Sequence, residues 1–469
     1  MERTGLTAEV FGGRMPTRSG DLALESHGIM PVPAGNRFGR PARLLTVFFA
    51  PNLTMTAVFS GTLGGALGLG FGTGLVALLL GTVIGAIPVA YLATWGPLTG
   101  TAQLPFARLP FRRTVALPGL VQWFNSIAWD ALVGLFGGEA LAQFTGMPFW
   151  LAVAIILVLQ CAVGVLGYEV IHRVQAVMTA VTAVFFVVLT VKLVGGHPVV
   201  TSNSVSGGDL AGAFVLFSTI ALSLSISWAS YASDFSRYLP EDTSRPQAFV
   251  FTLLGLTLSF GWGEAIGLAA GETISNQTTA GISALLGGGV LGTIALVVIA
   301  LTAVSSNAMN DYSGSLALQT IGVRLRRPVS AVVVTVVAFG LIMWMHGGDL
   351  ASKFEDVLLM IGYWIPPFVG VVVLDWWGRT RRGRRFDVLE EARAPQPGWP
   401  AVVAFLLGCA SVVPFMNTSI FTGTVAAAAH GADLAYYVGF AVSAAAYALL
   451  RLMPATRGSA PEQHADHPA

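Results

Sequence analysis

Apolar stretches of about 20 residues recur along almost the whole chain, with few charges inside them. Each is long enough to cross a hydrocarbon layer of about 30 Å. No water inside that layer can satisfy a bare backbone, so a spanning segment must close its own hydrogen bonds, which points to helices. The short alternating segments of a membrane barrel are missing. Of the 469 residues, 54% are hydrophobic and 10% charged, against about 25% charged in soluble domains. The apolar runs predict about twelve spans, near residues 44–69, 71–95, 116–143, 148–167, 174–196, 210–232, 247–270, 289–320, 329–346, 355–377, 398–416 and 432–453. The expected fold class is therefore an all-α integral membrane protein.

The charges test that segmentation. Of 25 basic residues, 23 are Arg and two are Lys. Arg37, Arg40 and Arg43 precede the first span, and Arg108, Arg112 and Arg113 follow the second. Arg173, Arg237, Arg245, Arg324, Arg326, Arg327, the 379–385 cluster, Arg451 and Arg457 all fall on that same side, whereas Lys192 and Lys353 fall on the other. Cytoplasmic loops carry such an excess. The pattern predicts a multi-pass protein of the cell membrane with both termini in the cytoplasm. Residues 1–42 and 454–469 read as polar, disordered cytoplasmic tails, and 43–453 as the membrane domain. The first segment lacks the apolar core of a signal peptide.

Several functions are disfavoured at this level. A net charge of +1 gives no footprint for nucleic acid; the bilayer and a small molecule are the expected partners. The loops are too short for a soluble catalytic domain. The seven His are scattered without metal-ligand spacing, which argues against a membrane enzyme and against a bound metal or cofactor other than a coupling Na⁺. Cys161 and Cys409 lie inside spans and read as apolar fillers.

Polarity inside the spans marks the candidate site. Thr302, Ser305, Ser306, Asn307, Asn310, Asp311 and Ser313 crowd twelve positions of the eighth span. Thr302, Ser306, Asn310 and Ser313 share one helix face. One or two such residues would serve as glue between helices; seven, including a carboxyl, point to a cavity, an ion or a substrate. The first span is interrupted at Ala50-Pro51-Asn52-Leu53-Thr54 and the sixth carries a serine-rich centre around Ser225 and Trp228. Paired interruptions in corresponding helices of two halves point to a transporter site at the midplane. In the third span Gln122, Asn125 and Trp129 form a stripe, with Asp130 deep in the span and Glu139 near its end. Asp130 is a candidate proton carrier, and Glu264 a weaker one.

Three segments carry a resemblance. The stretch 228–240 (WASYASDFSRYLP), the stretch 310–319 (NDYSGSLALQ) and the stretch 362–370 (GYWIPPFVG) followed by Asp375 resemble, in order, the purine–cytosine permease branch of the nucleobase–cation symporter family. The similarity runs from about residue 40 to 450. It implies a leucine-transporter-type fold: two inverted five-helix repeats, here 43–196 and 210–377, plus two peripheral helices at 398–453. It implies cation-coupled (Na⁺ or H⁺) symport of a nucleobase such as cytosine or a purine by alternating access. The resemblance places the planar substrate between Trp129 and Trp228, where stacking is favourable. Ser225 is an alternative lining residue; Asn125, Asn307, Asn310 and Asp311 are candidates for reading its polar edges. For the cation it implies carbonyls near Ala50, Asn52 and Leu53 with the hydroxyls of Ser305 and Ser306, and Thr302 beside them. An all-oxygen shell suits Na⁺. One position departs: relatives often carry an amide one turn after the third-helix Trp, where this chain has Val133. Losing a polar reader can redirect specificity, so a hydantoin, allantoin or a vitamin base is the alternative substrate. An amino acid would need a carboxylate site, typically an exposed helix N-terminus.

Overall fold

The computed structural model describes residues 28–165, 168–323, 327–383, 386 and 397–452. These residues form helices joined by short turns, without a named β-strand among them. The principal helices are α1 (Arg43–Phe49), α2 (Met55–Ala66), α3 (Phe71–Ala93), α4 (Ala116–Thr145), α5 (Phe149–Val165), α6 (Tyr168–Gly196) and α7 (Gly207–Ile226). They continue with α8 (Arg245–Leu285), α9 (Gly289–Ile321), α10 (Arg327–His346), α11 (Leu350–Gly362), α12 (Ile365–Arg381), α13 (Trp399–Val412) and α14 (Ala435–Leu450). Six helices among the described residues are long and apolar enough to cross a membrane unaided, and α1 with α2 make a seventh bent by 61°. Four apolar helices are shorter. The α3 residues Val76, Leu80, Ile84 and Ile87 form an exposed apolar stripe. A stripe of that kind belongs against lipid, and the chain is a multi-pass membrane protein.

Two packed groups of helices frame the site, and α12, α13 and α14 form a third beside them. In one, α2 packs on α8, α7 on α3, and α8 on both α1 and α3. In the other, α4 packs on α9, α5 on both, and α10 on α4 and α5. Glycine sets the spacing in the first group. A Cβ added at Gly81 or Gly85 of α3 would lie 1.9 Å from the Ser218 carbonyl oxygen or 2.5 Å from that of Leu222. Cβ atoms at Gly61 and Gly267 would fall 2.0 and 1.8 Å from the carbonyl oxygens of Glu264 and Val58. Small residues let membrane helices approach backbone to backbone, where dispersion replaces the missing hydrophobic drive. Gly85→Ala is expected to cost about 1–3 kcal/mol through forced separation, read as a lowered melting temperature of the purified protein.

Two expectations change. The stretch 271–288, read as a connection, continues as helix to Leu285 across non-helical backbone at Gly271 and Thr278. Its polar run, Ser275-Asn276-Gln277-Thr278-Thr279, mimics a loop by composition, yet apolar Ile274 and Ile282 fold inward and bury. The expected N-terminal tail is also shorter. Residues 1–27 lie outside the described residues, but residues 28–42 pack on the bundle. Ile29 and Val32 are buried. The Val32 amide donates to the Gly100 carbonyl at 2.8 Å, and the Arg37 guanidinium to the carbonyls of Val32 and Pro97. Beneath them the buried Arg237 donates to the Gly28 carbonyl and to the Tyr312 hydroxyl.

Candidate functional site

The site begins with a proline. Pro51 has no N–H to give, so a continuous helix through it would orphan an upstream carbonyl. The chain instead forms a 3-10 turn over Ala50–Asn52, then extends at Thr54 (φ −120°, ψ 167°) before α2. Side chains satisfy the freed groups, as a lipid-embedded break requires. The Asn52 amide donates to the Phe48 carbonyl at 2.7 Å, and the Thr54 hydroxyl accepts from the Ala57 amide.

The second break faces it. Helix α7 ends at Ile226 and 3-10 turns cover Ser227–Ser230 and Ala232–Asp234. The Trp228 indole N–H donates to Asn52 Oδ1 at 2.8 Å, which ties the two interruptions together. Its ring also sits among Phe48, Tyr231 and Phe235, with centroids 5.0–6.0 Å away. Asn52 is thus occupied at both ends of its amide. Ser225 turns toward α3: its Cβ would lie 3.0 Å from one added at Gly85. Its hydroxyl is buried without a hydrogen-bond partner.

Helix α9 supplies the opposing wall. Thr302, Ser305, Ser306, Asn307 and Asn310 are all buried. The Ser306 hydroxyl donates to the Pro51 carbonyl at 2.7 Å, so the expected juxtaposition of the first break and the hydroxyl face of α9 is present. Ser305 and Thr302 donate to carbonyls of their own helix, those of Thr302 and Val298. Leu53, Thr54 and Thr302 border a cavity of about 10 Å³, the size of a water. Ala50 is fully buried in the same turn. Ser306→Ala is expected to lower stability by about 1 kcal/mol, measured by thermal unfolding in detergent, and Ser306→Thr to restore it.

Helix α4 completes the arrangement. Trp129 is 7% exposed and its indole N–H has no hydrogen-bond partner. Asn125 donates to Gln122 Oε1, which also accepts from the Ser230 hydroxyl. The Asn310 amide donates to Asn307 Oδ1 at 3.1 Å, and Asn307 donates to the Asp130 carbonyl and to Gln160 Oε1. The Asp130 and Asp311 carboxyls meet beside the Asn310 amide. Val133 is buried one turn beyond Trp129. Glu264 lies elsewhere: its carboxylate accepts from Thr82 on α3 at 2.9 Å. Glu139 sits 3.9 Å from His346.

Two participants escaped the sequence reading. Gln160 on α5 accepts from Asn307, and Gln175 on α6 donates to the Ser305 carbonyl at 2.7 Å. Their signal was available, since each is a lone amide inside an apolar run. Thr56 adds a third link, donating to the Leu132 carbonyl across α2 and α4.

The family described as permeases for cytosine/purines, uracil, thiamine and allantoin matches residues 31–439. The purine-cytosine permease fcyB of Emericella nidulans is 25% identical, over 92% of this chain and 89% of its own length. The vitamin B6 transporter TPN1 of Saccharomyces cerevisiae is 24% identical, over 91% and 86%. Among solved structures, Mhp1 in a closed conformation with bromovinylhydantoin bound superposes with a TM-score of 0.72 at 17% identity. That superposition covers 91% of this chain and 94% of Mhp1.

Proposed function

Because this chain belongs to the purine–cytosine permease branch of the nucleobase–cation symporter family, as a transporter rather than an enzyme, we propose that it carries a nucleobase across the plasma membrane with a cation. In this reading twelve spans form two inverted five-helix repeats plus two peripheral helices, with both termini in the cytoplasm. Alternating access operates around a fixed midplane site.

One observation carries the proposal: the Ser306 hydroxyl meets the Pro51 carbonyl where the first helix breaks. A cation entering there would exchange that contact for coordination by the oxygens of Ser305, Ser306, Thr302 and the Ala50–Leu53 turn. Hard oxygen donors suit Na⁺; the carboxyls of Asp130 and Asp311 suit H⁺. Trp129, with its indole N–H unpaired, offers a ring face and a donor to a planar heterocycle. Trp228 would oppose it, and Asn310 and Asn125 would read polar edges. Cation and substrate then raise each other's affinity reciprocally.

The test is uptake of labelled cytosine in cells expressing the protein, with competition by purines, uracil, allantoin, hydantoins and pyridoxine. Saturable cytosine uptake, competed best by purines, is expected. Strong competition by a hydantoin or a vitamin base, with weak competition by purines, would move the substrate to that heterocycle. Val133 favours this second reading, because an apolar residue leaves one substrate edge unread. The vitamin B6 transporter and the hydantoin-bound neighbour are relatives of that kind.

A further inference from the structure

The two carboxyls at the wall between α4 and α9 set a condition on the coupling ion. Asp130 is fully buried, and all four carboxyl oxygens of Asp130 and Asp311 are shielded from solvent. None of the four accepts a regular hydrogen bond from a protein donor. Instead the carboxyls lie against each other, with the Asn310 amide beside them. Asp311 is seated there by a gap on α5: a Cβ at Gly164 would fall 2.9 Å from that of Asp311. The titratable groups acting on the pair from neighbouring elements are Cys161 of α5 and Tyr231 beyond α7, both neutral or acidic in character. Thr335 of α10 touches Cys161. Among the described residues no Arg, Lys or His is paired with either carboxyl.

Two carboxylates in contact away from water cannot both be ionised; one proton shared between them removes the repulsion and supplies the missing donor. We propose that Asp130 and Asp311 form a proton-sharing couple that makes this transporter a proton symporter, the pair being the site where the coupling proton rides. This rests on the transport reading above and specifies its ion. When the site opens outward, water hydrates the pair, and a hydronium ion gives up its proton: its O–H bond breaks, one forms on a carboxyl, and a water molecule is left. Closure around substrate expels water, so it admits the protonated pair and excludes the dianion, which would be buried uncompensated; without substrate the site keeps water beside the pair, and the empty carrier returns as the hydrated dianion. When the site opens inward, that O–H bond breaks and the proton leaves to cytoplasmic water. One charge crosses with each neutral heterocycle. The adjoining Asn310 links the proton to the substrate, since it borders both the pair and the expected base.

Two measurements decide the matter. The first uses purified protein in vesicles loaded with a pH-sensitive dye, choline replacing Na⁺, with cytosine added outside. Wild type is expected to acidify the lumen as cytosine enters, and Asp130→Asn and Asp311→Asn to lower this proton movement per substrate at least about tenfold. Entry that needs Na⁺ and moves no proton would overturn the proposal while leaving the transport reading intact. Failure of every heterocycle to enter would instead sink the transport reading. The second measurement needs no substrate: the infrared spectrum at neutral pH, in H₂O and D₂O. Wild type is expected to show a protonated-carboxyl band, sensitive to deuteration, that loses intensity in the Asp130→Asn/Asp311→Asn double variant. Identical spectra from the two proteins would overturn the proposal whatever the uptake assay gives.

Discussion

Uptake by Asn310→Ala is expected to fall below about one hundredth of wild type, because a polar edge of a buried base left without its partner costs on the order of 3 kcal/mol. The protein should still reach the membrane. The Asn310 side chain donates to Asn307 Oδ1 of its own helix and lies beside Asp130 of α4, so its removal leaves the Asn307 bridges to α4 and α5 standing. Asn307→Ala makes the contrast. That amide bridges α9 to the Asp130 carbonyl on α4 and to Gln160 on α5, so its loss should lower folded yield as well as uptake. Labelled-cytosine uptake normalised to surface protein separates the two. Normal uptake by Asn310→Ala would remove Asn310 from the substrate site.

Asn52→Leu is expected to destabilise the protein by roughly 1–3 kcal/mol, since it orphans the buried Trp228 indole N–H. The Phe48 carbonyl loses its 2.7 Å donor but keeps the Ser259 hydroxyl at 3.4 Å. The loss should appear as a fall in melting temperature in detergent. Asn52→Gln should recover less than half of it, because the longer amide cannot keep both partners at the observed 2.7 and 2.8 Å. Unchanged melting of Asn52→Leu would mean that Asn52 does not hold the two interruptions together.

The sequence made the membrane helices and the first break legible for physical reasons. Lipid punishes an interrupted apolar run, and Pro51 removes a donor at one fixed place. The polar composition of α9 was legible for the same reason. The pairings were not. Trp228 and Asn52 stand 176 positions apart, and no local pattern in the chain joins them. Ser225 looked like a lining residue by its neighbours in sequence, yet the α3 glycines draw it into a packed seam. The meeting of Asp130 and Asp311 depends on Gly164, a residue whose small size carries no polarity signal. The helical stretch beyond Gly271 and the packed segment at 28–42 were hidden by polar composition, although Ile274, Ile282, Ile29 and Val32 gave them apolar anchors.

The glycine contacts between α3 and α7, and between α2 and α8, leave no room for one helix to slide on its neighbour: a carbonyl sits where a methyl group would be. These helices are obliged to travel as one body. In the alternating access proposed above, the motion then falls along the border with α4 and α9, where a hydroxyl and an amide can let go of one partner and find another.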